Sequence, residues 1–240
     1  ERCDKLSISL KYYNRYLDID PFNDNVWFNL GTIYAREGIN DKAEEAFEYA
    51  VALNSNNSSA LYNQAILYIN SSQYDKGIES FNEFLELEPD NLFAIIGIAD
   101  AYIFKERYDE ALSKIHLALS IAPDSLEANS GAAYIYILKQ NYYESLPYIR
   151  KIGTNPATDF SFIGHNLLNA YIETTNKEFL VYYLISLYKL GDLKRMYTFI
   201  QELVEEDSLY LNKLYDLVPE IKKNKSILKK INSLMKESNS

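Results

Sequence analysis

The 34 residues from position 24 to position 57 decide the fold, and they read DNVWFNLGTIYAREGINDKAEEAFEYAVALNSNN. Tyr34 in this stretch recurs as Tyr68, Tyr102 and Tyr136, each 34 residues after the one before. A constant period of this length indicates a chain that is built from similar structural units stacked in a row.

Three further columns of residues keep the same period. A small residue lies three positions before each tyrosine, another small residue nine positions after it, and a large apolar residue four positions further on. The members are Gly31, Ala65, Ala99 and Ala133; Ala43, Gly77, Ala111 and Ser145; and Phe47, Phe81, Ile115 and Ile149. We expect each unit to be two antiparallel helices, with small residues where their backbones cross closely. Asp41, Asp75 and Asp109 are expected to cap the second helices.

These columns resemble the tetratricopeptide repeat (TPR), in which an aromatic, a Leu-Gly pair, a Tyr, an Ala, a Phe and an Ala fall at fixed offsets. The best match is Trp27, Leu30-Gly31, Tyr34, Ala43, Phe47 and Ala50. The resemblance implies an all-α fold, a right-handed superhelix of helix pairs. It divides residues 1–159 into a half repeat at 3–23 and repeats at 24–57, 58–91, 92–125 and 126–159.

The period stops after residue 159. Residues 160–240 are expected to hold an inserted helix, a degenerate repeat-like helix pair at 177–210, and closing helices at 209–218 and 225–236. Leu228, Ile231 and Met235 are expected to line the apolar face of the last helix. Residues 222–240 contain six lysines and one glutamate, a net charge of +5, which leaves −15 for the rest of the chain. We expect the C-terminal helices to cap the solenoid. The alternatives are a tail that binds a partner or a tail that binds a membrane surface, and the lack of tryptophan makes the membrane the weaker of these.

Composition and motifs exclude several classes of function. The net charge of −10 argues against a nucleic-acid-binding protein, and a run of apolar residues long enough to span a membrane does not occur. The single cysteine, Cys3, excludes an internal disulfide and a cysteine zinc site, while His116 and His165 fit no metal-ligand spacing. The sequence has no glycine-rich phosphate loop and no catalytic constellation. We therefore predict no enzyme activity, no metal and no cofactor.

The TPR resemblance places the candidate site on the first helix of each pair, which lines the concave groove in this family. The implied groove residues are Phe28, Asn29, Thr32, Tyr62, Asn63, Ile66, Ile69, Phe93, Ile96, Asp100, Ile103 and Tyr134. An apolar and aromatic surface of this kind favours a hydrophobic or helical segment of a partner protein, and Asn29 and Asn63 could bond its backbone. The competing interpretation is that these side chains pack against neighbouring units or the chain's own C-terminal helices.

One well-known form of the family binds the C-terminal carboxylate of chaperones through two Lys, two Asn and an Arg. Only Asn63 matches that set, because the other four positions hold Phe28, Thr32, Phe93 and Gly97. Without cationic side chains a carboxylate would lose its charge-assisted hydrogen bonds, so chaperone tails are rejected as ligands.

The function predicted from the sequence is a non-catalytic protein-interaction module that holds a peptide or helix in the groove. Self-association through the C-terminal helices is a possible second interaction. The alternative function is a scaffold or regulatory fragment of a larger protein with an anchor, a DNA-binding domain or an enzyme upstream, which the start at Glu1 and the half repeat suggest.

Overall fold

The protein was analysed as a computed structural model, which describes residues 2–153, 155, 158, 160–204 and 208–238. All regular secondary structure in these residues is helical, so the predicted all-α class is confirmed. The described helices are α1 (Arg2–Leu17), α2 (Asp24–Arg36), α3 (Asn40–Leu53), α4 (Ser58–Asn70), α5 (Tyr74–Leu87), α6 (Leu92–Phe104), α7 (Tyr108–Ile121), α8 (Leu126–Leu138), α9 (Tyr142–Gly153), α10 (Gly164–Thr174), α11 (Lys177–Lys189), α12 (Leu193–Val204), α13 (Ser208–Leu217), α14 (Pro219–Lys223) and α15 (Lys225–Ser238).

The chain divides into two compact units, Glu1–Pro123 and Asp124–Ser240. In the first unit α2 packs on α3, α4 on α5, and α6 on α7, and each pair contacts the next. Helix α1 packs on the first pair through Leu10, Tyr13 and Leu17. The predicted domain boundary at residue 159 lies outside the described residues, and the repeat boundaries stay a prediction.

Each first helix begins at a side-chain cap that the sequence analysis did not single out. The side-chain oxygens of Asn23, Asn57 and Asn91 accept hydrogen bonds from the backbone N–H three residues later, and Ser125 does the same in the second unit. These four caps are themselves 34 residues apart. They satisfy N–H groups that the first turn of a helix leaves without an intrahelical partner.

The predicted caps of the second helices are wrong. Helices α3, α5 and α7 each begin one residue before the predicted aspartate, and the residue at the cap position makes no side-chain hydrogen bond that caps the helix. Asp41, Asp75 and Asp109 are therefore the second residues of these helices. A carboxylate in the first turn still interacts favourably with the positive end of the helix dipole, which accounts for the acidic column.

The small residues of the repeat make room for aromatic rings. A Cβ atom added to Gly31 would lie 2.6 Å from Cδ1 of Phe47, and one added to Gly97 would lie 2.6 Å from Cε2 of Phe81. The close approach at these glycines is thus between the backbone of one helix and an aromatic side chain of another. At Gly77 the expected crossing of two backbones is present, because a Cβ there would lie 3.3 Å from the backbone oxygen of Ala65, another small residue of the repeat.

The second unit is built around α11, in which residues 178–187 are all buried. A helix that is buried on all sides occupies the centre of its unit, and α10, α12 and α13 pack against it. The buried carboxylate of Glu178 accepts a hydrogen bond from Arg150 at 2.7 Å and another from Lys213. Burial raises the pKa of Glu178, but these two cations outweigh it and leave the pKa below its usual value.

Helix α15 packs on α12 and closes the second unit. Its buried residues are Ile227, Ile231 and Leu234. The predicted apolar face of Leu228, Ile231 and Met235 is therefore correct at Ile231 and in part at Met235, which is half-buried and packs against the core, whereas Leu228 is half-buried outside that core. The apolar face is rotated by about one residue, and this rotation leaves Leu228 beside the exposed lysines.

Candidate functional site

The predicted groove residues lie on the first helices of the pairs. They are Phe28, Asn29 and Thr32 on α2; Tyr62, Asn63, Ile66 and Ile69 on α4; Phe93, Ile96, Asp100 and Ile103 on α6; and Tyr134 on α8. The first eleven belong to the first unit. Tyr134 belongs to the second unit, where its ring makes an edge contact with Phe162 at a centroid distance of 6.4 Å.

Four of the predicted residues line one open pocket of about 250 Å³ in the first unit. Phe28, Tyr62, Asn63 and Phe93 come from three successive first helices and meet at this pocket. The remaining lining residues are Ser58, Ser59, Phe84, Glu88 and Asn91. Phe84 and Glu88 were missed because they lie at the end of α5, a second helix, whereas the family offsets concern first helices only.

The aromatic residues of the pocket differ in how much their rings pack in the core. The ring of Tyr62 packs against Phe81 at 5.6 Å and Phe84 at 5.2 Å between centroids, and Phe28 packs on Phe47 at 6.3 Å. Phe93, by contrast, is 64% exposed. Tyr62 and Phe28 therefore support the fold as well as the surface, while Phe93 offers its ring to solvent.

Polar groups beside the pocket are available for hydrogen bonds. The carboxamides of Asn29 and Asn63 and the hydroxyl of Tyr62 form no hydrogen bond within the described part of the chain. The Thr32 hydroxyl donates to the carbonyl oxygen of Phe28 at 3.0 Å. A carboxamide presents both a donor and an acceptor, so the two asparagines can pair with a peptide backbone.

Asp100 is the only charged side chain among the predicted groove residues. It forms no ion pair or hydrogen bond with other described residues, and desolvation raises its pKa to about 6. The side chain is nevertheless exposed to solvent.

Asp100 continues an apolar ridge on α6. Phe93 lies seven residues before it, Ile96 four residues before it, and Ile103 three residues after it. This spacing places side chains on one helical face. On α4 the matching positions are Tyr62, Ile66 and Ile69, of which Ile66 is 37% exposed. Ile69 is more deeply involved in packing, since its Cδ1 lies 2.5 Å from where a Cβ on Gly77 would be.

Other candidate chemistry does not assemble among the described residues. His116 and His165 are both exposed. In residues 2–153, 155, 158, 160–204 and 208–238, no three His, Cys, Asp or Glu residues come together as a metal site. The side chain of Cys3 lies outside the described residues.

None of the described helices is both long enough and apolar enough to cross a membrane.

Comparison with known sequences and structures identifies the repeat. Tetratricopeptide-repeat family models match residues 24–57, 46–79 and 94–128. No curated protein has a sequence that matches the chain significantly. Among solved structures, a crystal structure of MamA is 21% identical over 58% of this chain and 82% of its own, with a TM-score of 0.56. A MamA RS-1 ArsTM double mutant is 15% identical over 63% of this chain and 86% of its own, with a TM-score of 0.58.

At these identities the structural likeness establishes the fold, an α-solenoid of helix pairs, and the family models establish the repeat. Arrays of this kind are typically non-catalytic scaffolds for protein interaction. The chain therefore contains tetratricopeptide repeats, with the family pattern matched over residues 24–79 and 94–128.

Proposed function

We propose that the first unit binds an apolar segment of a partner protein, helical or extended, along α2, α4 and α6. The observation that carries this proposal is the exposed ring of Phe93 beside a pocket that Phe28 and Tyr62 also line. Exposed aromatic residues that cluster around a concavity are typical of binding sites rather than of ordinary surface. Burial of such rings would supply most of the affinity.

The polar groups determine how the segment lies. Asn29 and Asn63 hold its backbone, one on each of two successive first helices. Asp100, on the third, favours a segment with a lysine or arginine at the matching position, because a cation would satisfy a carboxylate that is already partly desolvated. The bound segment is thus apolar along most of its length and basic at one point.

A chaperone C-terminal carboxylate does not suit this surface. Phe28, Thr32, Phe93 and Gly97 occupy the positions where that ligand needs three cations and a second asparagine, and the charge at Asp100 would repel it. The proposed partner is accordingly an internal segment, with no requirement for a free C-terminus.

Selection from a random peptide library displayed on phage tests the groove. The wild-type chain is expected to enrich apolar peptides that Phe93→Ala captures at least about tenfold less well, as expected for an aromatic residue at the centre of an interface. Phe22→Ala is the matched control, because Phe22 is 77% exposed and lies outside the predicted groove. Equal capture by the wild type and Phe93→Ala would refute the proposal.

We also propose that the chain associates with itself through its C-terminal helices. Supporting this is the exposure of Lys222, Lys223, Lys225, Lys229, Lys230 and Lys236, which form no ion pair with other described residues, in a chain whose remainder is strongly acidic. Light scattering at low and high salt tests it, and a monomer under both conditions would exclude it.

A further inference from the structure

A second pocket, of about 370 Å³, lies in the first unit away from the groove. We call it the acidic pocket, and it is lined by Glu48, Val51 and Ala52 of α3, Gln64 and Tyr68 of α4, and Lys76, Glu79, Ser80 and Glu83 of α5. Gln64 follows Tyr62 by two residues, a rotation of about 200° around the helix. The acidic pocket and the groove therefore use opposite faces of α4.

The acidic pocket holds negative charge that the chain does not neutralise. Glu79 and Glu83, one helical turn apart, form no ion pair or hydrogen bond with other described residues. Burial, followed by the charges of Glu79 and Glu86, raises the pKa of Glu83. The cation of the pocket, Lys76, is paired with Glu44 at 2.7 Å. Glu79 and Glu83 thus lack a cation, whereas Glu48 interacts with the charge of Lys76 and accepts a hydrogen bond from Tyr68 at 3.1 Å.

The floor of the acidic pocket contains a mostly buried polar pair, Gln64 and Ser80. Gln64 and Ser80 are each 6% exposed, and the Ser80 hydroxyl donates to Oε1 of Gln64 at 3.2 Å. The amide nitrogen of Gln64 has no partner among the described residues. This nitrogen is not one of the fully buried atoms without a partner in the described part of the chain, so it stays accessible from the pocket.

The walls fit the stem of a long basic side chain. Val51 and Ala52 of α3 supply apolar surface beside the carboxylates. A lysine or arginine can lay its methylene groups on such a surface while its charged end reaches acidic partners. The chemistry of the acidic pocket therefore selects a cationic side chain from another polypeptide.

The chain itself carries a surface of that chemistry on α15. Lys225, Lys229 and Lys236 line one shallow surface of this helix with Leu228 and Asn232. All three lysines are exposed, while Ile227, Ile231 and Leu234 hold the other face in the core of the second unit. Lys225 and Lys229 are one helical turn apart, a rise of about 6 Å, the same spacing as Glu79 and Glu83.

We propose that this lysine surface of α15 docks into the acidic pocket of a second copy of the chain. Lysine ammonium groups then lie between Glu48, Glu79 and Glu83, and Leu228 packs against the apolar wall at Val51. The inference rests on self-association through the C-terminal helices and adds the surface that receives them. Because the two surfaces differ, docking forms either a reciprocal dimer or a longer assembly.

Multi-angle light scattering of the full chain gives the first test. At low salt the average mass is expected to exceed the monomer mass of 27.8 kDa, and at high salt it is expected to return to it. The reason is that the Debye length falls from about 10 Å at 0.1 M salt to about 3 Å at 1 M salt. A wild-type chain that remains monomeric at low salt would overturn both the docking site and self-association.

Charge reversal locates the surfaces. The variant Lys225→Glu/Lys229→Glu and the variant Glu79→Lys/Glu83→Lys should each associate about tenfold more weakly than the wild type, since like charges then face each other. A mixture of the two variants should recover association, because the acidic α15 of the first can dock on the basic pocket of the second. The variant Lys11→Glu/Lys194→Glu has the same change in net charge as Lys225→Glu/Lys229→Glu, but on exposed residues of α1 and α12, and should associate nearly as well as the wild type.

The outcomes distinguish docking at the acidic pocket from self-association in general. Association that survives Glu79→Lys/Glu83→Lys would overturn the acidic pocket as the docking site while leaving self-association in place. Equal loss in the control variant would also overturn the acidic pocket as the docking site, because net charge alone would then explain the effect. No recovery in the mixture would overturn it as well, because the two reversed surfaces would then not bind each other. Each reversed residue is exposed, and circular dichroism verifies that the helical content is unchanged.

Discussion

At the scale of single residues, the turn inside each helix pair has a repeated backbone conformation. Gly38, Ser72, Glu106 and Gln140 occupy the same repeat position with φ of 73°, 61°, 56° and 60°. The left-handed region costs a residue with a Cβ about 1–2 kcal/mol, and glycine avoids that cost. Three of the four turns therefore carry strain that the first one lacks.

Exchanging these residues should change stability in opposite directions. Gly38→Ala is expected to lower the free energy of unfolding by about 1 kcal/mol, and Glu106→Gly to raise it by about 0.5–1 kcal/mol. No atom lies within 4 Å of a Cβ built on Gly38, so the cost there is confined to the backbone. Urea unfolding followed by circular dichroism measures both, and an alanine at position 38 without effect would contradict the strain.

Asp100 predicts a pH dependence of stability. Its pKa in the folded chain, about 6, lies above the 3.8 of an ordinary aspartate side chain, so the folded state binds more protons between those values. Stability contributed by this group is present below about pH 4 and is lost as the pH rises through 6. Asp100→Asn should therefore be more stable than the wild type at pH 7, by about 1–3 °C in Tm, with the difference vanishing at pH 4. Thermal melts at the two pH values measure it, and a constant difference would point to another cause.

The candidate site could be predicted only in part from single residues. The repeat offsets named Phe28, Tyr62, Asn63 and Phe93, which line one pocket. They did not name Phe84 of α5, because the end of a second helix reaches that surface only through the packing of two repeats. Whether these residues bind a segment stays a prediction.

At the scale of helices, the period predicted the number of helices better than the residues at which they begin. A 34-residue period of small and aromatic residues predicts two helices in each repeat, and the structure has the helix pairs α2–α3, α4–α5, α6–α7 and α8–α9. The acidic residues at Asp41, Asp75 and Asp109 suggested caps, yet a carboxylate is favourable both at the cap and in the first turn. The column of Asn23, Asn57, Asn91 and Ser125 was a signal in the sequence that could have located the caps of the first helices.

The cap at Asn57 also links two repeats. Its Oδ1 accepts from the backbone N–H of Ala60 at 3.0 Å, and its Nδ2 donates to Asp24 of α2 at 3.0 Å. Asn57→Ala should lower the free energy of unfolding by about 1–2 kcal/mol, since both bonds are lost. The free energy of unfolding of Asn57→Asp should lie between those of the wild type and Asn57→Ala, because an aspartate keeps the cap but places a second carboxylate against Asp24.

Chemical denaturation of the three proteins at neutral pH orders them. Asn91→Ala is a matched control, since Asn91 caps α6 in the same way but its Nδ2 donates to Glu88 at the end of α5, three residues earlier, and not to the preceding first helix α4. An equal loss at Asn57 and Asn91 would show that the link to Asp24 adds nothing.

At the scale of the whole molecule, the sequence described the first unit more fully than the second. Beyond residue 159 the period no longer sets the spacing, and the central position of α11 had to come from the structure. Its residues FLVYYLISL, 179–187, are apolar around the whole helix, which is typical of a helix buried on all sides. The expectation of an ordinary amphipathic repeat pair obscured that signal.

A repeat protein distributes its stability through neighbouring contacts, so damage should stay local. Gly31→Ala places a Cβ 2.6 Å from the ring of Phe47 in the first unit, and Gly153→Ala places one 2.7 Å from the ring of Tyr182 in the second. Each should cost about 1–3 kcal/mol through overpacking. Gly31→Ala should speed amide hydrogen exchange most in α2 and α3, and Gly153→Ala most in α9 and α11, as exchange mass spectrometry would resolve. Equal acceleration along the whole chain in both variants would instead mean that the molecule opens as a single cooperative block, without the graded stability that stacked helix pairs imply.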